Sequence, residues 1–398
     1  MATPLNPSPR RRPGIAGLLR LLVPILLLAG VIALFVYTRG AGLNVTPAAP
    51  IETVQFGRTI LRPGRIEVHL RNTSPQPITI AQVAINEAMW PFAVAPGPTL
   101  PRLGTAALAL EYPWVHGEAY EITLHSGNAI AFTTSIPVAA TTAEVSGATL
   151  RSFSLIGVYV GIVPVILGML WLPLLARLGE RGMTFLMSAT VGLLLYLGLD
   201  ATSEALELGA ELGGPFQGTG IVGIGIVGTI LLLGAVSRQQ SRAGAPEGAR
   251  MSLAMLIAVG IGLHNFGEGL AIGAAFAVGA AALGTFLVVG FIIQNITEGL
   301  GIIAPIARDR PALRTLALLA LIGGGPAIAG AWIGGLLYSM GWSVLFLAIG
   351  AGAVIQVAYQ IGREMIWRKA GELDRPWAAF AGVMAGMLAL YLTGLVIK

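Results

Sequence analysis

The chain of 398 residues contains no cysteine. Disulfide frameworks, thiolate metal sites, iron–sulfur clusters and cysteine nucleophiles are therefore excluded, and any metal chemistry must use nitrogen and oxygen ligands. Charge is the second scarcity. Asp, Glu, Lys and Arg make up 11% of the residues, against about 25% in an ordinary globular chain. A soluble protein of this length could not cover its surface with so few charges, so much of the chain must lie in lipid. Histidine is also rare, with four in the whole chain. There is no Gly-X-Y period and no sustained heptad, which excludes collagen and coiled coil. A mean hydropathy of +0.79 excludes disorder.

What the chain does have is apolar runs. The first extends from about Ile15 to Tyr37 and follows Arg10, Arg11 and Arg12. It is long enough to span a bilayer and longer than the apolar core of a signal peptide. Gly40-Ala41-Gly42 could serve cleavage, but the length favours an uncleaved signal anchor with a cytoplasmic basic tail over 1–44. Arg20 can snorkel toward the same side.

Residues 45–145 read differently. Gly and Pro punctuate short β-prone runs at Arg65–Arg71, Ile78–Ile85, Ala106–Tyr112, Tyr120–His125 and Ile130–Ile136. Several alternate with period two, and turn signals recur about every ten residues, which predicts a small β-sandwich. Placed after the anchor, this domain is expected outside the cytoplasm. Its histidines, His69, His116 and His125, are too scattered to predict a metal site, and the usual His₂Cys copper centre is impossible without cysteine.

Over 150–398 the apolar spans return, at about 152–175, 183–205, 218–236, 252–279, 283–306, 315–338, 343–365 and 377–397. Their connecting segments can be tested for sidedness. One side, taken as cytoplasmic, carries Arg10–Arg12, Arg177, Arg181, Arg238, Arg242, Arg250, Arg308, Arg310, Arg314, Arg363, Arg368, Lys369 and Arg375. The other, apart from the β domain, carries Arg39, Arg151 and Lys398. The bias supports the span count and an extracytoplasmic C-terminus. The net charge of +5 thus reports topology and implies no nucleic-acid partner. The predicted fold class is an all-α polytopic membrane protein with an eight-span helix bundle, an anchor helix and a small β-sandwich, located in the plasma or inner membrane.

By these boundaries four acidic residues lie inside spans: Asp200, Glu204, Glu268 and Glu298. His264 is the one intramembrane histidine. An ionisable side chain at a helix centre costs roughly 2.5–3.5 kcal/mol on insertion scales, so each marks a candidate site. The fourth span contains His264-Asn265-Phe266-Gly267-Glu268-Gly269-Leu270, and the fifth contains Gln294-Asn295-Ile296-Thr297-Glu298-Gly299-Leu300. Both read [H/Q]-N-x-x-E-G-L. The first residue and the Glu stand at i and i+4, on one helix face. Consecutive spans run in opposite directions, so the two motifs oppose each other, inverted, near mid-membrane, as in many transporter sites. One imidazole, two carboxylates and three carboxamides can all ligate a divalent cation, and the carboxylates would neutralise a 2+ ion. Interhelical hydrogen bonding could retain a single polar pair, but two matching motifs argue for a site.

Asp200 and Glu204, again at i and i+4, continue into Glu207 and Glu211 and form either a cation-attracting mouth or a solvated helix end. Gln356 and Gln360 repeat the spacing in the seventh span, where they either line the path or bond neighbouring helices. Gly269, Gly273, Gly330 and Gly334 are expected to allow close helix packing.

The HNFGEG and QNITEG motifs resemble the fourth- and fifth-span signatures of the ZIP (Zrt/Irt-like) family of divalent metal transporters, and the resemblance covers about 150–398. It implies a first metal site of His264, Glu268, Gln294 and Glu298. A second site would use Asn265 and Asn295 and share the two glutamates. The sequence departs from the family pattern at Gly325, before Pro326, where the family usually has Glu. It also lacks the Pro common in the fourth-span motif and a His-rich loop over 237–251. The anchor and the β domain are additions to the pattern. The implied activity is transport of a divalent ion toward the cytoplasm, Zn²⁺ first, with Fe²⁺, Mn²⁺, Co²⁺ or Cd²⁺ as other cargoes. No cofactor and no catalytic residue are expected. The partners are the bilayer and the ions, with a homodimer left open. Two alternatives stand beside it: an intramembrane metal-dependent hydrolase, which lacks a second intramembrane His and an H-E-x-x-H motif, and a metal sensor without flux.

Overall fold

The computed structural model describes residues 15–38, 51–142, 144–243, 248–277, 281–337, 339–363 and 375–397. Arg10–Arg12, Arg39, Gly40–Gly42, Arg368, Lys369 and Lys398 lie outside them. The chain divides into two compact units, Met1–Ile51 and Glu52–Lys398. The described part of the first holds helix α1 (Ile15–Tyr37), which matches the N-terminal apolar run and carries Pro24 within it.

The second unit begins with nine short strands. Strands β1 (Val54–Arg62), β2 (Arg65–Asn72), β7 (Thr105–Leu110) and β5 (Ala93–Ala95) form one antiparallel sheet, in the order β1-β2-β7-β5. Strands β4 (Ala88–Met89), β3 (Ile78–Ile85), β8 (Tyr120–Ser126) and β9 (Ala131–Ile136) form the other, and β6 (Thr99–Leu100) pairs with β3. Period-two alternation sends Ile66, Val68, Leu70, Leu108 and Leu110 from one sheet, and Ile78, Ile80, Val83, Ile122, Leu124 and Ile136 from the other, into a single core. The five expected strand runs correspond to β2, β3, β7, β8 and β9. Strand β1 went unpredicted because Gly57 interrupts its alternation at a register shift between Phe56 and Thr59.

The rest of the chain is helical: α2 (Gly147–Gly157), a π turn (Val158–Ile162), α3 (Val163–Met169), α4 (Leu172–Leu175), α5 (Glu180–Glu211), α6 (Gly218–Ala243), α7 (Ala249–Ala277), α8 (Ala281–Ile303), α9 (Leu313–Gly324), α10 (Pro326–Leu336), α11 (Met340–Ile361) and α12 (Pro376–Ile397). They supply eight segments long and apolar enough to cross a membrane, at 147–175, 180–211, 214–239, 250–277, 287–306, 313–336, 340–361 and 376–395. Eight such segments suggest a multi-pass membrane protein, and their bounds follow the expected spans to within a few residues at most ends. The first and sixth are not continuous helices. A π turn and Pro164 interrupt the first, and Gly325-Pro326 interrupts the sixth.

The segments pack as two groups. One comprises α2–α3, α7, α8 and α9–α10. The other comprises α5, α6, α11 and α12, and α7 and α8 lie against it through α11 and α12. Glycine permits the closest approaches. A Cβ on Gly269 would lie 2.1 Å from the Ala327 carbonyl oxygen, and one on Gly330 would lie 2.1 Å from that of Phe266, so α7 and α10 touch backbone to backbone. Helix α8 meets α3 likewise, since a Cβ on Gly299 would fall 2.2 Å from the Val165 carbonyl oxygen. In lipid, where apolar surface provides little drive between helices, such contact is a main source of cohesion.

The β region sits on the end of the bundle formed by the α5–α6 and α10–α11 connections. A Cβ on Gly213 would overlap Thr73, the Arg71 guanidinium lies 5.5 Å from the Phe216 ring centroid, and Arg58 donates to the Leu336 carbonyl at 3.2 Å.

Overpacking a helix contact costs about 1–3 kcal/mol. Gly269→Val and Gly299→Val should therefore each lower the unfolding temperature in detergent. Gly228→Val should not, because no atom lies within 4 Å of the Cβ it would add.

Candidate metal centre

The two motifs meet at the middle of the bundle. His264, Asn265 and Glu268 come from α7, and Gln294, Asn295 and Glu298 from α8. All but Gln294 are buried: Asn265 and Asn295 are 0% exposed and Glu298 is 1% exposed. One ligand atom each from His264, Glu268 and Glu298 lies within 4.8 Å of the others, the one such His/Asp/Glu group among the described residues. Ligand atoms held at about 2.1 Å from one zinc ion lie at most about 4.2 Å apart, so a slight contraction of this set would complete a shared coordination sphere.

The hydrogen bonds divide the two glutamates. Glu268 is well supplied. Gln294 Nε2 donates to its Oε1 at 2.6 Å, Asn295 Nδ2 donates to its Oε2 at 2.9 Å, and His264 Nε2 stands 3.4 Å from Oε1. Both oxygens of Glu298 are buried and have no hydrogen-bond partner among the described residues. The same holds for Oδ1 of Asn265 and Oδ1 of Asn295. Four buried acceptor oxygens without a donor are costly in a protein interior. A cation held between His264, Glu268 and Glu298 would satisfy those of Glu298.

The asparagines explain how the site is built. Asn265 Nδ2 donates to the Gly323 carbonyl, and Asn295 Nδ2 to the Val160 carbonyl, each at 2.9 Å. Pro164 has no N–H to offer Val160 four residues earlier, so Asn295 provides a donor that the helix cannot. The two halves match. In each motif the Asn bonds a carbonyl of a broken span and the Gly after the Glu packs on the same span. In the sixth span those positions are Gly323 and Ala327, four apart; in the first they are Val160 and Val165, five apart. The π turn supplies the extra residue. The broken spans themselves meet at Gly161 and Gly324, where an added Cβ on Gly161 would lie 2.1 Å from the Gly324 carbonyl oxygen.

Of the other expected residues, Asp200 and Glu204 line a cavity of about 450 Å³ together with Tyr196, Ser203, Glu207, Gln294, Tyr391 and Thr393. Gln294 is therefore both a wall of this vestibule and a neighbour of His264 and Glu268. The vestibule lies toward the β-domain end, where α5 finishes. Toward the other end, Ile257, Ile261, Ile302, Ile303 and Val354 belong to a continuous apolar core that closes the site. Gln356 and Gln360 are not near the motifs. They line a different cavity between α6 and α11, at the end away from the β domain. Gly325 forms the α9–α10 junction and brings no ligand. In the β region His69 pairs with Glu67 at 3.2 Å. Sequence reasoning did not find Tyr196, Tyr391 or Thr393, which stand among apolar residues without a repeating pattern, nor the carbonyls of Val160 and Gly323, which no side-chain motif can announce.

The chain matches no known family model and no curated protein.

With chelator present, Glu268→Gln should destabilise the protein by about 1–3 kcal/mol, since it turns an acceptor toward two amide donors into a donor. Glu298→Gln should leave stability unchanged or raise it. Zn²⁺ at a hundred times its Kd should stabilise the wild type by about 2.7 kcal/mol and neither variant. Thermal unfolding in detergent reads all of this.

Proposed function

We propose that the protein is a membrane transporter of the ZIP type that carries divalent transition-metal ions, Zn²⁺ first, toward the cytoplasm. The observation that carries the reading is the buried group of His264, Glu268 and Glu298, assembled from two matching motifs on adjacent helices and reached by a vestibule of carboxylates. Nitrogen and oxygen ligands without sulfur suit Zn²⁺, Fe²⁺, Mn²⁺ or Co²⁺. The resemblance in the HNFGEG and QNITEG motifs supports both the class of cargo and the direction. The placement of cations along the sequence puts the β domain and the vestibule outside the cytoplasm, with α1 as anchor.

In this reading a hydrated ion is drawn to Asp200, Glu204 and Glu207, passes Gln294 and exchanges water for His264, Glu268 and Glu298. Two carboxylates offset its charge, so the loaded centre is close to neutral and can lie in an apolar core. The motifs belong to one helix group, while α5 and α12 of the other group wall the vestibule. Displacement of one group against the other closes the outer access and opens the apolar core on the cytoplasmic side, as alternating access requires. A hydrolase would need a ligand set around a metal-bound water with a base beside it. Here both glutamates are candidate ligands, and His264 is the one histidine in the bundle.

Radiolabelled Zn²⁺ uptake into proteoliposomes tests the reading. Glu268→Ala and Glu298→Ala should each abolish uptake, and full uptake by the double variant would overturn the mechanism. Glu204→Gln should raise the half-saturating Zn²⁺ concentration severalfold and leave the maximal rate nearly unchanged, because it weakens attraction at the mouth without altering the centre.

A further inference from the structure

The β region meets both helix groups, through different residues. Its seat is on the group of α5, α6, α11 and α12. Thr73 fills the space beside Gly213 and the Arg71 guanidinium lies over the Phe216 ring, both in the α5–α6 connection. Gln55 Nε2 stands 3.4 Å from Met340 Sδ, at the start of α11. The other group is reached by β1 alone, which lies against α7 and whose Arg58 donates to the Leu336 carbonyl at the end of α10, at 3.2 Å. A carbonyl in the last turn of a helix has no donor from the helix itself, and a cation is favoured there.

Helices α10 and α11 belong to different groups, yet residues 337–339 are all that joins them. Strand β1 lies across this link. Arg58 holds the last residue before it and Gln55 the first residue after it. In a regular strand, residues 55 and 58 would point to opposite faces. The register shift between Phe56 and Thr59 turns both toward the bundle. Residues 55–58 and 339–341 accordingly face one cavity of about 420 Å³. The end of α10 is also tied to the motif helix. One turn before Leu336's neighbours, a Cβ on Gly334 would lie 2.1 Å from the Leu270 carbonyl oxygen of α7. A grip on Leu336 is thus a grip on the helix pair that carries His264 and Glu268.

In this arrangement the vestibule reaches the centre at Gln294, and an apolar core closes the opposite side. Turning the centre to that side requires the two groups to shift, and a link of three residues absorbs such a shift by changing its own dihedrals. We infer that strand β1 is a splint across the α10–α11 hinge: it favours the arrangement in which the vestibule meets the centre, and Arg58 releases α10 when the centre turns to the cytoplasm. The β region stays seated on its own group through Thr73, Arg71 and Gln55, so release costs the contacts of β1 with α7 and α10 and leaves the rest of the seat intact. The inference deepens the transport reading and rests on it.

The chain has no cysteine, so introduced pairs are its only thiols. A reducible bis-thiosulfonate linker joining Arg58→Cys to Leu336→Cys, in the full chain in proteoliposomes, should abolish radiolabelled Zn²⁺ uptake, and reduction should restore it. The same linker between Arg71→Cys and Phe216→Cys should leave the rate unchanged, because both ends belong to the seat. A second measurement needs no transport. Ile302→Cys places one thiol in the apolar core that closes the centre. It should react with a maleimide about fivefold faster when Arg58→Ala is added, the population shift expected for one lost hydrogen bond. Ala379→Cys, buried within the other group, should react at the same rate in both backgrounds. Full uptake with the Arg58–Leu336 link closed would overturn the splint. So would equal reactivity of Ile302→Cys with and without Arg58→Ala, or an equal rise at Ala379→Cys, which would mark general loosening. Absence of Zn²⁺ uptake by the unlinked wild type would overturn the transport reading instead, and the Ile302→Cys rates would then decide whether β1 restrains the groups.

Discussion

The structure turns on the difficulty of keeping two carboxylates in the middle of an apolar helix bundle. Glu268 and Glu298 are both at least 96% buried, where a charge without a partner is expensive. The bundle answers for one and not for the other. Glu268 accepts from Gln294 and Asn295, so it is held by the protein itself. Glu298 is left with both oxygens unpaired. Had the site served helix cohesion, both would be expected to be satisfied, because an unpaired buried carboxylate weakens a fold. The asymmetry is intelligible if a cation completes the set.

Holding these groups in place requires backbone that a regular helix does not provide. Each motif helix docks on a broken partner. The Asn reaches a carbonyl of that partner, and the Gly one turn on lets the two backbones touch. Pro164, the π turn and Gly325-Pro326 disrupt the partner helices at the level of the site, so polar backbone is available where Asn265 and Asn295 need it. This arrangement assigns the motif residues two kinds of work. His264, Glu268 and Glu298 face the common space. Asn265 and Asn295 commit their amide nitrogens to structure and leave their oxygens open. The asparagines are therefore anchors first, and Asn295 also steadies the site through the same nitrogen, which donates to Glu268.

The side-chain part of this was legible in the sequence, because it depends on the i, i+4 spacing and on its repetition in a second span. The span bounds were legible as well, since apolar length is summed over many residues and tolerates local error. Local irregularity was not. A π turn leaves no mark in composition, and Gly57 hid a whole strand by breaking its period. The seating of the β region was equally silent: Arg58, Arg71 and Thr73 meet Leu336, Phe216 and Gly213 across long sequence separations, and nothing in either segment specifies the other. Gln356 and Gln360 show the limit of spacing as a guide. They repeat the motif's i, i+4 interval in an adjacent span, yet face a crevice lined by arginine. Spacing places residues on a face; the packing of the helices decides what the face meets.

The composition of the centre also bears on how many ions it suits. Two carboxylates balance one divalent ion. A second ion beside the first would add two charges, with only the neutral oxygens of Asn265 and Asn295 to meet them, and in a core of low polarity neutral dipoles offset far less of that cost than a third carboxylate would. The position that could have supplied one is Gly325, and it is occupied by the backbone junction of α9 and α10. In the proposed transport a single ion would leave the centre neutral enough to move with its helix group through an apolar surround, whereas a centre that kept a net charge would resist that movement. Under the proposed transport, the missing sixth-span carboxylate and the movement of the helix group would thus both favour one ion at a time.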